Sequence, residues 1–204
     1  LYVTNFGHNV LYHNNGNGTF SDVTQQARVD DPRWSTSAAF CDYDNDGYLD
    51  LFLANYVDFT VKGNKVCKNA MGLRDYCNPS VYQPVPARLF HNERNGTFKD
   101  VTEASGIGTA FGRGLGVACG DFNADGWVDF FVANDGSANQ LWINQKNGTF
   151  RDAALLSGVA YNADGSAQAG MGVAAGDYRN SGNEDLFVTH LSSPQETPAL
   201  YKNE

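Results

Sequence analysis

No stretch of the chain's 204 residues approaches the run of about 20 apolar residues that a membrane-crossing helix requires. A helical membrane span is therefore excluded, and no basic segment followed by an apolar one has the form of a signal peptide. Basic residues are also scarce, 14 against 23 acidic, for a formal charge of −9. Affinity for nucleic acid comes largely from Lys and Arg displacing counterions from phosphates, so DNA and RNA are excluded as natural partners. The four cysteines lack C-x-x-C spacing, which argues against zinc. No Ser or Cys stands in a nucleophile pattern with His and Asp. His13 and His91 share one repeat position with Ile143 and Lys202, which reads as a generic strand position, while His8 and His190 lie near strand ends. A non-catalytic protein is expected.

What is present is repetition. Leu1–Asn5 recurs as Leu51–Asn55, Phe130–Asn134 and Leu186–His190, each an apolar-rich run of strand length. Leu11–Asn14, Leu89–Asn92, Leu141–Asn144 and Leu200–Asn203 form a second family. Asn17–Phe20, Asn95–Phe98 and Asn147–Phe150 form a third, whose Asn-Gly pairs supply the positive φ of a tight hairpin. A fourth, Ser37–Cys41, Gly116–Gly120 and Gly172–Gly176, is made of small residues, as suits a crowded innermost strand. A meandering β-sandwich would not explain why that strand always precedes the same acidic turn. The expected class is all-β, a β-propeller of four-stranded antiparallel blades over residues 1–204, present as two full blades flanked by two incomplete ones. Both ends align inside blades, so the chain is expected to belong to a longer polypeptide.

The acidic turns carry the chemistry. Asp42, Asp44, Asp46 and Asp50 stand at positions 1, 3, 5 and 9 of a loop with Gly47 at position 6 and Tyr48 at position 7. A hard cation takes about six to eight oxygens, and alternating side chains plus the position-7 carbonyl can wrap one Ca2+ from a single loop. Asp121, Asn123, Asp125, Trp127 and Asp129 repeat the set with one Asn for Asp. Asp177, Ser181, Asn183 and Asp185 keep the ends of a third, but Arg179 replaces the position-3 acid. Calcium affinity is expected to fall in that order, with Arg179 as an internal substitute cation in the third loop. No Glu stands at position 12, and strands flank the loop, unlike an EF-hand. A metal-free Asp-Gly turn is the plain alternative.

These repeats resemble the FG-GAP/VCBS propeller repeats shared with integrin α-chains, and most nearly those of ASPIC/UnbV-type secreted proteins. The residues that carry the resemblance are Phe40–Gly47, Leu49–Tyr56, Asp75–Cys77, Arg88–Asn92 and Asn95–Thr102. It implies an extracellular, calcium-stabilised propeller used for binding or adhesion.

The step from Asn55 to Leu89 exceeds that from Asn134 to Leu141 by about 27 residues, which places an insertion within Tyr56–Ala87. Cys67 and Cys77 both fall in it and are expected to pair. Cys41 and Cys119 precede their aspartates by one and two residues, so they face opposite sides of equivalent strands and can bridge neighbouring blades, with two buried thiols as the alternative. Disulfides point to a secreted or periplasmic protein. Trp34, Trp127 and Tyr56 flank strand ends, either as a stacking surface for a ligand or as packing between blades. Asn17, Asn95 and Asn147 begin Asn-Gly-Thr, which is both a turn and an N-glycosylation sequon. The expected partner is protein or glycan, met by the insertion, with self-assembly through open blade edges. A polysaccharide lyase propeller and a calcium-dependent lectin are the competing functions.

Overall fold

Each short apolar run ends in a turn built from Asn, Asp and Gly, and the chain accordingly folds as consecutive antiparallel strands. The computed structural model describes residues 1–191 and 196–204. The first sheet joins β1 (Tyr2–Val3), β2 (Val10–Asn14) and β3 (Phe20–Asp22). A one-turn helix, α1 (Thr24–Ala27), leads to β4 (Ser35–Cys41) and β5 (Asp50–Asn55). A small hairpin of β6 (Cys67–Lys68) and β7 (Arg74–Asp75) follows before β8 (Arg88–Asn92) and β9 (Phe98–Asp100) complete the second sheet, in the order β4-β5-β8-β9. After α2 (Thr102–Ser105), the third sheet runs β10 (Gly114–Gly120), β11 (Asp129–Asn134), β12 (Gln140–Asn144) and β13 (Phe150–Asp152). The fourth comprises β14 (Gly170–Gly176), β15 (Asp185–His190) and β16 (Ala199–Tyr201). The protein is all-β, with open antiparallel sheets.

The sheets pack face to face in chain order. Leu51, Leu53 and Phe90 meet Val29, Tyr2 and Leu11 between the first and second sheets. Phe52, Leu89, Phe130, Val132 and Trp142 fill the space between the second and third. Phe131, Ala133, Leu141, Leu186 and Val188 fill the next. Every residue of β5 and β11 is therefore buried on both faces, whereas Phe187 and Thr189 of β15 are exposed because no sheet of the described residues covers that face.

The small-residue strands lie side by side. Thr36 Oγ1 donates to the carbonyl of Gly114 at 2.7 Å, and the Val117 N–H donates to Ser37 Oγ at 3.3 Å, tying β4 to β10. The Cys41–Cys119 disulfide joins the same two strands at their far ends, with Cα atoms 6.8 Å apart. At Gly116 a Cβ would sit 2.6 Å from the Met171 carbonyl oxygen on β14. Gly116→Ala is accordingly expected to cost about 1–3 kcal/mol through overpacking against backbone, read as a lowered urea midpoint. An unchanged midpoint would mean that β10 and β14 part without penalty.

The Asn-Gly-Thr turns differ from the expected tight hairpin. Positive φ falls on Arg94 and Gly96, and on Lys146 and Gly148, and not on Asn95 or Asn147. The reason lies in the Asn side chains. Asn95 Oδ1 accepts both the N–H and the Oγ1–H of Thr97, at 2.9 and 2.7 Å, and Asn147 does the same for Thr149. The loop between β8 and β9 is thereby five residues long, closed by the Glu93 N–H on the Thr97 carbonyl at 2.9 Å.

Candidate metal centres

The Asp-rich loops connect the first strand of a sheet to the strand beside it, and their backbone is set by the first aspartate. Asp42 accepts the N–H groups of Asp46 and Gly47 at 3.0 and 2.8 Å. Asp121 accepts those of Asp125 and Gly126 at 3.0 and 2.8 Å, and Asp177 those of Ser181 and Gly182 at 2.9 and 2.7 Å. All three loops place position 4 (Asn45, Ala124, Asn180) and the position-6 glycine at positive φ. The turn thus forms whether or not its ligand set is intact. The next bonds also repeat: Asp46 accepts from Tyr48 at 2.8 Å, Asp125 from Trp127 at 3.0 Å and Ser181 from Asn183 at 3.3 Å. Asn45 Nδ2 reaches the Gly126 carbonyl at 3.2 Å, so the first two loops are neighbours.

The last aspartate opens the central strand and is buried. Asp50 accepts from the backbone of Tyr43 at 3.2 Å and of Asn92 at 2.7 Å. Asp129 accepts from Phe122 at 3.1 Å and Asn144 at 2.8 Å. Burial outweighs these donors and pushes both carboxyl groups up to about 6. Asp44 is also raised, by burial and then by repulsion from Asp46. Its Oδ1 is buried without a hydrogen-bond partner, and the carboxylates of Asp42, Asp44 and Asp46 converge within 4.8 Å.

In the third loop a guanidinium takes the centre. Arg179 Nη2 donates to Asp185 Oδ1 at 3.0 Å and to the Asn203 carbonyl at 2.7 Å, and its Nε reaches Asp185 Oδ2 at 3.3 Å. The hydrogen bond from Arg179 holds the Asp185 carboxyl below its ordinary value, although this side chain opens β15 just as Asp50 opens β5. Loops one and two carry the same backbone turn without an Arg at position 3.

Several contributors escape the repeat pattern. His91, read above as a generic strand position, lies over the first loop, with Nδ1 3.2 Å from Asp50 and 3.4 Å from Asp44; Ile143 occupies the equivalent place over the second. Arg94 pairs with Asp46 at 2.7 Å and Lys146 with Asp125 at 3.3 Å. Glu184 buries Oε2 without a partner against Gly120, and burial and the charge of Asp121 raise its carboxyl. In two of its four copies, the Asn that ends the second repeat family clips one sheet to the sheet before it. Asn144 Nδ2 donates to the Tyr43 carbonyl at 2.8 Å, and Asn203 Nδ2 to that of Phe122 at 2.9 Å. Its presence in all four copies (Asn14, Asn92, Asn144, Asn203) was the available signal.

The other cysteines and the aromatic residues meet in the segment between β5 and β8. Cys67 and Cys77 form the second disulfide, and no cysteine is free. Trp34 packs edge-on against Tyr56 at 5.2 Å and Phe6 at 5.4 Å, and Phe59 bridges Trp34 to Tyr82. Trp127 is half-buried in the second acidic loop, away from that cluster.

The FG-GAP-like repeat pattern matches residues 1–53, 80–132 and 121–188. The chain is similar to cartilage acidic protein 1 of Mus musculus, 26% identical over 210 aligned residues that cover 96% of this chain and 27% of that protein. The Homo sapiens protein of the same name is 25% identical over 96% of this chain and 26% of its own length. The Xenopus tropicalis one is 39% identical over 72 residues, 34% of this chain and 11% of that protein. The chain thus spans about a quarter of the length of the mouse and human relatives.

Proposed function

The chain belongs to the FG-GAP-like repeat family, and from that premise we propose that it is a stretch of a calcium-stabilised β-propeller serving, outside the cell or in the periplasm, as a non-catalytic binding or assembly module. The observation that carries calcium is the contrast among the three loops. Where the Arg179 guanidinium bonds the position-9 carboxyl, that carboxyl sits below its ordinary value; at Asp50 and Asp129, which no guanidinium bonds, burial pushes it up to about 6 even with His91 3.2 Å from Asp50, and Asp44 keeps an orphaned oxygen. The donors are mostly carboxylate and carbonyl oxygens, with His91 Nδ1 beside Asp44 and Asp50 in the first loop, and an oxygen-dominated set suits a hard divalent ion. Asp42, Asp44, Asp46, Asp50 and the Tyr48 carbonyl would hold one ion, and Asp121, Asn123, Asp125, Asp129 and the Trp127 carbonyl a second. The bound ion supplies charge compensation, which lets the innermost and central strands of each sheet stay joined with ionised carboxylates. In the third loop the Arg179 guanidinium bonds Asp185 and the Asn203 carbonyl instead, while Asp177 and Ser181 accept N–H groups of the loop backbone.

Sheets stacked in chain order, with small residues on adjacent inner strands, support the propeller, and two disulfides with no free thiol support an oxidising compartment. The bare face of β15 supports a further sheet or a second protein packed there.

Equilibrium dialysis followed by metal analysis tests the reading. The chain is expected to retain two calcium ions, and the double variant Arg179→Asp/Ser181→Asp three, because it restores acids at positions 3 and 5 on a backbone that already has the loop shape. A count of zero for the unmodified chain, or no gain in the variant, contradicts the assignment.

A further inference from the structure

The segment between β5 and β8 combines exposed apolar side chains with basic charge. Val61, Val66, Met71, Leu73 and Tyr76 all stand exposed within it, Tyr76 with 98% of its surface in solvent. It is also basic, with Lys62, Lys65, Lys68 and Arg74 against Asp58 and Asp75, in a chain whose net charge is −9. Contiguous exposed apolar side chains mark interaction surfaces, and Tyr, Met and Arg are the residue types that interfaces favour.

A groove of about 720 Å³ runs between this segment and the aromatic cluster. Its floor is Trp34, Tyr56, Phe59 and Tyr82, and the Cys67–Cys77 disulfide ties the hairpin that forms its wall. The two tyrosine hydroxyls of the floor are already committed. Tyr56 Oη donates to Asp135, and Tyr82 Oη to Asn64 at 3.1 Å. Lys65 Nζ is turned back onto the Val81 carbonyl. Arg33, Arg88, Arg94 and Arg179 are each paired with a carboxylate. Arg74, by contrast, is exposed beside Tyr76 at the groove's rim and makes no ion pair among the described residues. Its planar fork of donors matches a carboxylate.

We propose that this groove docks an acidic peptide segment of a partner protein that carries bulky apolar side chains, one ring or aliphatic chain entering the aromatic floor while a neighbouring carboxylate meets Arg74. The inference rests on the reading of the chain as a binding module and names the partner class of its inserted segment. A neutral or acidic sugar fits less well. It would leave Val61, Val66, Met71 and Leu73 uncovered.

The test uses the whole chain in calcium and fluorescence anisotropy with three labelled 12-residue peptides: one alternating acidic with Leu and Phe, one with the same apolar residues and Lys for the acids, and one with the acids but Ser and Gly for the apolar residues. The acidic apolar peptide is expected to bind at least about 10-fold more tightly than either control, with affinity falling as salt rises. Arg74→Glu is expected to weaken it about 10-fold or more, and Tyr76→Ser several-fold, while both exposed variants keep the parent melting midpoint. Equal binding of the three peptides, binding that survives Arg74→Glu, displacement of the peptide by oligogalacturonate, or no binding below about 1 mM would each overturn the proposal. Calcium retention in the same preparations separates the two failures. No peptide binding with two ions bound removes the partner class alone, whereas no peptide binding with none bound removes the calcium-stabilised module as well.

Discussion

Stripping calcium from the chain is expected to lower its melting midpoint by roughly 10–20 °C near neutral pH. An ion present at about 100 times its dissociation constant stabilises the folded state by about 2.7 kcal/mol, so two such sites contribute about 5 kcal/mol. A domain of this length moves by about 2–4 °C for each kcal/mol. The size of the gap is expected to depend on pH. Without metal, Asp50 and Asp129 have folded values of about 6 against an ordinary 3.8, because burial disfavours the charged form. Their ionisation therefore destabilises the metal-free fold: the penalty is fully present above about pH 6 and disappears as pH falls below about 4. With calcium the dependence reverses, since protons compete with the ion for the same oxygens. Thermal melts of dialysed and calcium-replete protein should thus diverge near pH 7.5 and converge toward pH 5. Coincident melts near neutral pH would remove structural calcium from the account.

Phe52→Ala is expected to cost about 3–5 kcal/mol, the range for an aromatic side chain deleted from a packed core. Phe52 is fully buried and stacks on Phe130 with ring centroids 4.5 Å apart, at the seam between the two four-stranded sheets. Trp142, Leu89 and the Cys41 end of β4 belong to the same cluster, so the cavity has little means of collapsing. Phe187 is the matched control. It holds the same repeat position on β15 but is 43% exposed, because no sheet of the described residues covers that face. Phe187→Ala is expected to cost about 1 kcal/mol or less. Urea unfolding of the two variants measures the difference. Equal costs would mean that the β15 face is covered in solution, and sedimentation would then show an assembly instead of single chains.

Much of the fold could be read from repetition alone. Runs such as Leu51–Asn55 and Phe130–Asn134 mark central strands because a strand buried on both faces loses its alternation and becomes continuously apolar. The acidic turns were legible for a local reason: Asp at position 1 and Gly at position 6 set the backbone within one loop, through bonds spanning four or five residues. The Asn-Gly hairpins were misread because the same dipeptide supports two turns, and the threonine two residues beyond the asparagine selects the one in which the Asn side chain caps it.

The sequence by itself determined the strands, the small-residue strand before each acidic turn, the shape of the acidic loops and the Cys67–Cys77 pairing, since each depends on neighbours along the chain or on strict periodicity, whereas the Cys41–Cys119 bridge was one of two readings that the structure decided. Only the tertiary structure decided that His91 lies over Asp44 and Asp50, that Glu184 crosses to the second loop, that Asn144 clips to Tyr43, and that an aromatic floor faces Arg74. Those contacts join residues tens of positions apart, on different sheets or on strands brought together by a long connection. How the sheets stack and how far a side chain reaches set them, and neither leaves a period in the sequence.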